Sequence, residues 1–321
     1  MPAITVIGSL NMDLVVRCER LPQIGETLAG SEFHLIPGGK GANQAVAAAR
    51  SGAVTRMVGC VGDDPFAALL LDSLVSTGVD TSGIATLKNI STGTATIILE
   101  NCGENRILIV AGANARVSPN FIEQQWPLIR QSDAILLQHE IPLETVAAIL
   151  RRAHAEGILA VLNPAPVHPI QDELLALVDT LILNEIEAKA LAGMDVTDDQ
   201  SAIRAAVSLQ RKGVSTVIVT LGSLGAILCN KKEILFQPAF NVETVDTTAA
   251  GDTFAGAYTA SILTGKQPAQ ALSFAAAASA LSVTRLGAQT SIPAKTEVES
   301  FCELHANDFV HSPVIRRNGG G

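Results

Sequence analysis

The stretch AILLQHEIPLETVAAILRRAHAEGILAVL, residues 134–162, carries the decision about the fold. Ala134 to Gln138 is a short apolar run, Leu143 to Ala155 repeats its apolar residues at helical spacing, and Leu159 to Leu162 is apolar again. A strand, a helix and a second strand in so little chain predict a parallel pair joined by a helical crossover. The alternation continues outward. Strands are predicted at Ala3 to Gly8, Thr55 to Val61, Thr180 to Leu183 and Thr216 to Thr220, with helices at Ala42 to Ser51, Pro65 to Ser76, Pro119 to Arg130 and Ser201 to Lys212. Three consecutive helices follow: Gly251 to Leu263, Ala269 to Val283 and roughly Lys295 to His305. This is the pattern of an α/β fold whose mostly parallel sheet is covered on both faces.

Two segments break the alternation and read as antiparallel. Asp13 to Arg17 precedes Glu26 to Leu35, and Thr94 to Glu100 is joined to Arg106 to Val110 through the polar turn Cys102-Gly103-Glu104-Asn105. Together they predict a discontinuous β-sheet lid, from about 13–35 and 94–110, over the carboxyl edge of the main strands, where open α/β sheets bind ligands. The alternative is two unrelated surface excursions. With no repeat and no long linker, residues 1–305 are expected to form one domain, and 306–321 a disordered tail.

The chain has 321 residues, 48% hydrophobic and 17% charged, with a net charge of −9. That composition excludes a disordered chain, and no basic cluster offers a nucleic acid its phosphate contacts. Cys18, Cys60, Cys102, Cys229 and Cys302 form no C-x-x-C pair, which fits a reduced, cytoplasmic location. No signal peptide is read at the N-terminus, and the uncharged Gln267 to Thr284, with its proline and serines, reads as a core helix and not a membrane span. The six histidines lack metal-ligand spacing. Cys60 reads as a small buried hydrophobe; His139 either approaches the pocket beside Glu140 or, by strand alternation, points to the opposite face.

Neither G-x-G-x-x-G after the first strand nor a G-x-x-x-x-G-K-[ST] loop is present. Two other glycine clusters run into helices. Gly38-Gly39-Lys40-Gly41-Ala42-Asn43-Gln44-Ala45 allows close backbone approach and an open helix N-terminus, with Lys40 suited to phosphate and Asn43 to a hydroxyl; an ordinary helix cap is the alternative. Asp246-Thr247-Thr248-Ala249-Ala250-Gly251-Asp252-Thr253-Phe254 forms a small cup of backbone N–H groups for developing negative charge. Asp252 is then either a catalytic base or a plain N-terminal charge.

These two clusters resemble the signatures of the ribokinase, or phosphofructokinase-B, family of carbohydrate kinases. Further landmarks agree in order: Gly8 to Asp13, Ala111 to Asn114, Asn163 to Pro166, Asn184 to Glu187, Thr220 to Gly225 and Thr284 to Gln289. The resemblance implies a three-layer α/β/α sandwich with a small β lid, and phosphorylation of the 5-hydroxyl of D-ribose by ATP. Relatives acting on deoxyribose, a nucleoside or a sugar acid are the alternative, as is a non-catalytic sugar sensor. Asp252 matches the family's general base, with Ala249, Ala250 and Gly251 as its anion hole. Asn11, Asp13, Gly39, Lys40, Asn43 and Glu140 match sugar contacts. Thr220, Leu221, Gly222, Ser223, Leu224, Gly225, Asn184 and Ala276, with Gly251 and Asp252, match the ATP site. Glu187 matches the residue that arranges Mg²⁺ through water. Asp246, Thr248, Ser282, Arg285, Gly287 and Ser291 match the enclosure of a K⁺ ion, mostly through carbonyls. Many members carry Gly where this chain has Ala249. A homodimer joined through the lid is also implied.

Overall fold

The structure is a computed structural model that describes residues 2–100, 102, 105–305 and 315–316. Strand β1 (Ala3–Ile7) leads into β2 (Asn11–Cys18), β3 (Glu32–Gly38), α1 (Lys40–Arg50), β4 (Val54–Gly62) and α2 (Pro65–Ser76). Then come β5 (Asp80–Leu87), β6 (Gly93–Glu100), β7 (Asn105–Val110), α3 (Pro119–Ile129), β8 (Ala134–Leu137), α4 (Leu143–Glu156) and β9 (Leu159–Leu162). The chain continues through α5 (Asp172–Leu175), β10 (Thr180–Leu183), α6 (Glu185–Ala192), α7 (Asp199–Arg211), β11 (Thr216–Thr220), β12 (Gly225–Cys229) and β13 (Glu233–Pro238). It closes with α8 (Ala250–Leu263), α9 (Pro268–Ser282), α10 (Lys295–Leu304) and β14 (Ile315–Arg316).

The main sheet is 10-stranded, in the order β14-β13-β12-β11-β10-β9-β8-β1-β4-β5. From β11 to β5 every pairing is parallel, and β12, β13 and β14 are antiparallel. Side chains alternate between two cores. Leu136 and Ile218 face one, packed with α1, α2, α8 and α9; Ile135, Leu137, Val217 and Val219 face the other, with α3, α4, α6 and α7. A sheet buried on both faces explains why its strands read as continuous apolar runs.

From β1 the chain first builds outward through β4 and β5, then returns to lay β8 against the other side of β1. That reversal places a crevice beyond the carboxyl ends of β1 and β8, where ligands of such sheets bind. Over it lies the second sheet, β3-β2-β6-β7. Each excursion is antiparallel, and the two are fused by parallel pairing of β2 with β6.

Several boundaries differ from expectation. The strand predicted from Glu26 begins at Glu32, because Glu26 closes a turn through its N–H to the Gln23 carbonyl at 2.9 Å. Strand β5 carries Asp, Ser, Thr and Gly at a sheet edge and has too little apolar pattern to be read. Strands β12 and β13 are joined by a turn in which Asn230 Oδ1 accepts the N–H groups of Lys232 and Glu233 at 2.8 and 3.0 Å. Within the hairpin turn, residues 101, 103 and 104 lie outside the described residues, as does the tail 306–321 except Ile315–Arg316, which pair with Ile234 and Glu233. No described helix is long and apolar enough to cross a membrane.

Candidate active site

Gly39 holds φ 90°, and a Cβ there would stand 2.7 Å from the Asn11 nitrogen, so only glycine lets α1 begin this close to β2. The first N–H groups of α1 are not open. Lys40 N donates to Glu140 Oε2 at 3.1 Å, Gly41 N to Ser9 Oγ at 3.3 Å and Ala42 N to the Ser9 carbonyl at 3.0 Å. Ser9 Oγ in turn donates to Glu140 Oε2 at 2.5 Å. These N–H groups are therefore taken up by the protein itself.

What this region offers instead is a set of polar side chains, Asn11, Asp13, Lys40, Asn43 and Glu140. Asn11 Oδ1 is fixed by Asn114 Nδ2 at 2.7 Å, and Asn114 is itself held by both backbone groups of Leu10. Burial, then the neighbouring Glu140 and Asp252 charges, push Asp13 up to about 7, while Lys40 opposes the shift. Lys40 is held above its usual value, first by Asp252 and then by Glu140, Glu187 and Asp13, against the cost of burial. Four acidic groups around one ammonium keep it charged.

The start of α8 is built differently. Ala249 adopts the left-handed φ 60° at the N-cap, with no side-chain cap. A Cβ on Gly251 would meet nothing within 4 Å, so this glycine faces open space. Asp252 does not cap the helix. It is 6% exposed and reaches across to α1, accepting from Asn43 Nδ2 at 2.9 Å and Gln44 Nε2 at 3.0 Å. Through these contacts the carboxylate joins the two sequence motifs.

Beside Gly251 lies a cavity of about 520 Å³. Thr220, Gly222, Ser223, Gly225, Ala250, Gly251 and Ala276 line it. Leu221 does not; its side chain is buried in the core shared with α6 and α7, because β11 has just ended and still obeys strand alternation. Leu224 is half exposed and also lies outside the lining. The sequence reading missed Phe240, Asn241, Val242 and Thr244 of the β13–α8 connection, which form another wall and carry no spacing signal.

Asn184 and Glu187 form a reciprocal capping box at α6. Asn184 N and Nδ2 donate to Glu187 Oε2 and Oε1 at 3.0 and 3.1 Å, and burial raises the Glu187 pKa. A second cavity of about 300 Å³ is lined by Asn11, Asn114, Glu140 and the lid residue Ile109, together with His139. Of the two readings of His139, the lining agrees with its approach to the pocket beside Glu140; β8 ends at Leu137, two residues earlier. Burial, then His168 at 5.9 Å between ring centroids, lowers its pKa to about 4.

The loops around Asp246 and Gly287 meet through one carboxylate. Asp246 Oδ1 accepts from Thr248 N at 2.9 Å and Thr248 Oγ1 at 2.6 Å, while Oδ2 accepts from Gly287 N at 2.9 Å. Ser282 and Ser291 are fully buried beside them. The Arg285 side chain turns outward to Glu297 at 2.5 Å, so only its backbone remains for this loop. Among the described residues no cluster of three or more His, Cys, Asp or Glu is placed to hold a metal.

The pfkB family carbohydrate kinase profile matches residues 1–295. The ribokinase of Haemophilus influenzae is 41% identical over 300 residues, covering 94% of this chain and 98% of that protein. The deoxyribokinase of Salmonella typhimurium is 36% identical over 304 residues, covering 94% and 99%. The structure of Arabidopsis thaliana ribokinase complexed with ribose and ATP superposes with a TM-score of 0.89 at 34% identity, covering 94% of this chain and 98% of that one. The chain belongs to the pfkB family of carbohydrate kinases.

Proposed function

We propose that this protein is a ribokinase, transferring the γ-phosphoryl group of ATP to the 5-hydroxyl of D-ribose. The observation that carries the reading is the position of Asp252. Its carboxylate sits between the polar side chains gathered at α1 and the open start of α8, which borders the larger cavity. Asn11, Asp13, Lys40, Asn43 and Glu140 supply converging donors and acceptors for a polyol, with the Gly39 backbone close behind them. Asp252 takes the proton of the attacking hydroxyl, and the backbone at Ala249, Ala250 and Gly251 forms the anion hole; Ala250 N donates to the Thr247 carbonyl at 3.2 Å, so charge on the transferring group is met first by the N–H of Gly251. The larger cavity accepts the nucleotide, with Thr220, Gly222, Ser223, Gly225 and Ala276 in its walls. Because the chain carries a net charge of −9, anionic ATP must rely on these local donors and on Lys40.

Glu187 is buried with a raised pKa, and both of its oxygens are engaged by Asn184, which suits a water-mediated role toward a hydrated Mg²⁺ ion. When bound with ATP, Mg²⁺ neutralises phosphate charge. Around Asp246, Thr248, Ser282, Arg285, Gly287 and Ser291 the available donors are oxygens, which fits a K⁺ ion bracing the loop that precedes α8. We place the enzyme in the cytoplasm, where its five free cysteines stay reduced. We also propose a homodimer through the lid, where Phe33, Leu35, Ile107, Leu108 and Val110 are exposed. Light scattering checks it; a monomer at micromolar concentration would remove it.

The decisive experiment measures ADP release with ribose, deoxyribose, adenosine and 2-keto-3-deoxygluconate. Ribose is expected to give the highest kcat/KM, and preference for any other acceptor sinks the assignment. A sugar sensor on this fold would bind ribose without releasing ADP.

A further inference from the structure

Gln44 on α1 is fully buried, and every hydrogen-bonding group of its amide is engaged within the site. Its Nε2 donates to Asp252 Oδ1 and to Asn163 Oδ1, both at 3.0 Å, and its Oε1 accepts from Gln138 Nε2 at 2.6 Å. The two flanking amides are oriented by the sheet. Asn163, just past β9, donates through Nδ2 to the Ile182 carbonyl on β10 at 3.0 Å, so its oxygen must face Gln44. Gln138, just past β8, sits against Gly8, where a Cβ would stand 2.0 Å from Gln138 Oε1. An amide side chain can present either a donor or an acceptor, and here the backbone carbonyl of Ile182 settles that choice along the chain.

We propose that this chain of amides, with Gln44 as its central link, positions Asp252 for proton abstraction; Gln44 is thus a positioning residue. The inference rests on Asp252 being the base. Asn43 alone anchors Oδ2 and leaves the carboxylate free to turn about its Cβ–Cγ bond; Gln44 anchors Oδ1 and stops that rotation. The charged groups that face Asp252 are Lys40 from α1, Asp13 from β2 and Glu187 from α6; they act on it through space and do not fix its plane.

The test compares Gln44→Leu with the parent enzyme and with Asp252→Asn, by ADP release across pH 5 to 9 and by calorimetric ribose binding. Gln44→Leu is expected to lower kcat by about 10- to 100-fold while the ribose KM stays within about threefold. The acid limb of its kcat profile moves to higher pH, because a carboxylate with one donor fewer is protonated more readily. An unchanged kcat and acid limb overturn the proposal, as does a loss of kcat with the acid limb unmoved, which marks packing damage alone. Should Gln44→Leu fail to fold, Gln138→Leu tests the same chain one link back, with a smaller effect in the same direction expected and no effect overturning it. Asp252→Asn separates the two levels. If it retains turnover, the base assignment itself falls, whereas an inactive Asp252→Asn beside an unaltered Gln44→Leu defeats the amide chain alone.

Discussion

Helices α1 and α8 both begin at a small residue in left-handed backbone, Gly39 at φ 90° and Ala249 at φ 60°, and they meet at the bond between Asn43 and Asp252. Their first turns are nonetheless used in opposite ways. At α1 the N–H groups are taken by Ser9 and Glu140, which arrive from the ends of β1 and β8. At α8 no side chain caps the helix; Ala250 N is taken locally by the Thr247 carbonyl at 3.2 Å, and Gly251 faces open space. A glycine-rich helix start therefore does not by itself make an anion site; the presence or absence of an acceptor from elsewhere in the chain decides it. One start becomes an anchor for polar side chains, and the other leaves its second residue, Gly251, facing open space.

The sharpest way to break that comparison is Asp252→Asn. It removes the proposed base and is expected to lower turnover by about 1000-fold, with ribose binding still measurable by calorimetry. Surviving turnover would show that α8 is not the chemical end of the site. On the α1 side, Glu140→Ala strips the acceptor shared by Ser9 and Lys40 N and should weaken ribose binding by about tenfold. A fall in kcat with unchanged binding would reverse the roles of the two helices.

Exchanging K⁺ for Na⁺ at equal ionic strength tests the loop before α8 and should lower turnover severalfold; equal rates would remove the cation from the account. Asp13 tests the α1 side by pH. Its folded-state value near 7 against 3.8 unfolded means that the folded protein holds a proton the unfolded chain has lost. Stability of the ligand-free protein should therefore decline as pH rises from about 4 to 7, and Asp13→Asn should flatten that slope in thermal melts. The smallest effect is expected at the α8 cap. Ala249→Gly relieves a left-handed alanine and should stabilise the protein by about 1 kcal/mol, read as a raised Tm. A lowered Tm would mean that the alanine methyl contributes packing here.

Legibility followed locality. The strand, helix and strand of residues 134–162 were readable because burial on both faces leaves an apolar run for each strand, and helical spacing is a property of adjacent residues. The polar edge strand β5 was not, since its place depends on pairing with β4. In the site, Asp252 and Asn43 stood out within motifs. By contrast, Gln44, Gln138 and Asn163 acquire a role only through one another. The wall of the larger cavity at Phe240 to Thr244 has no pattern at all; it is placed by the turn out of β13.

The sequence by itself determined the layered α/β class, the two helix starts and the carboxylate of Asp252, because hydrophobic periodicity and small-residue turns are local properties of the chain. Only the tertiary structure decided which helix start remained open and which was filled, that the lid is one sheet, and that Asp252 faces α1 instead of capping its own helix. Those outcomes depend on hydrogen-bond partners that lie far apart along the chain, and a donor is open or satisfied only once the fold has brought, or failed to bring, an acceptor to it.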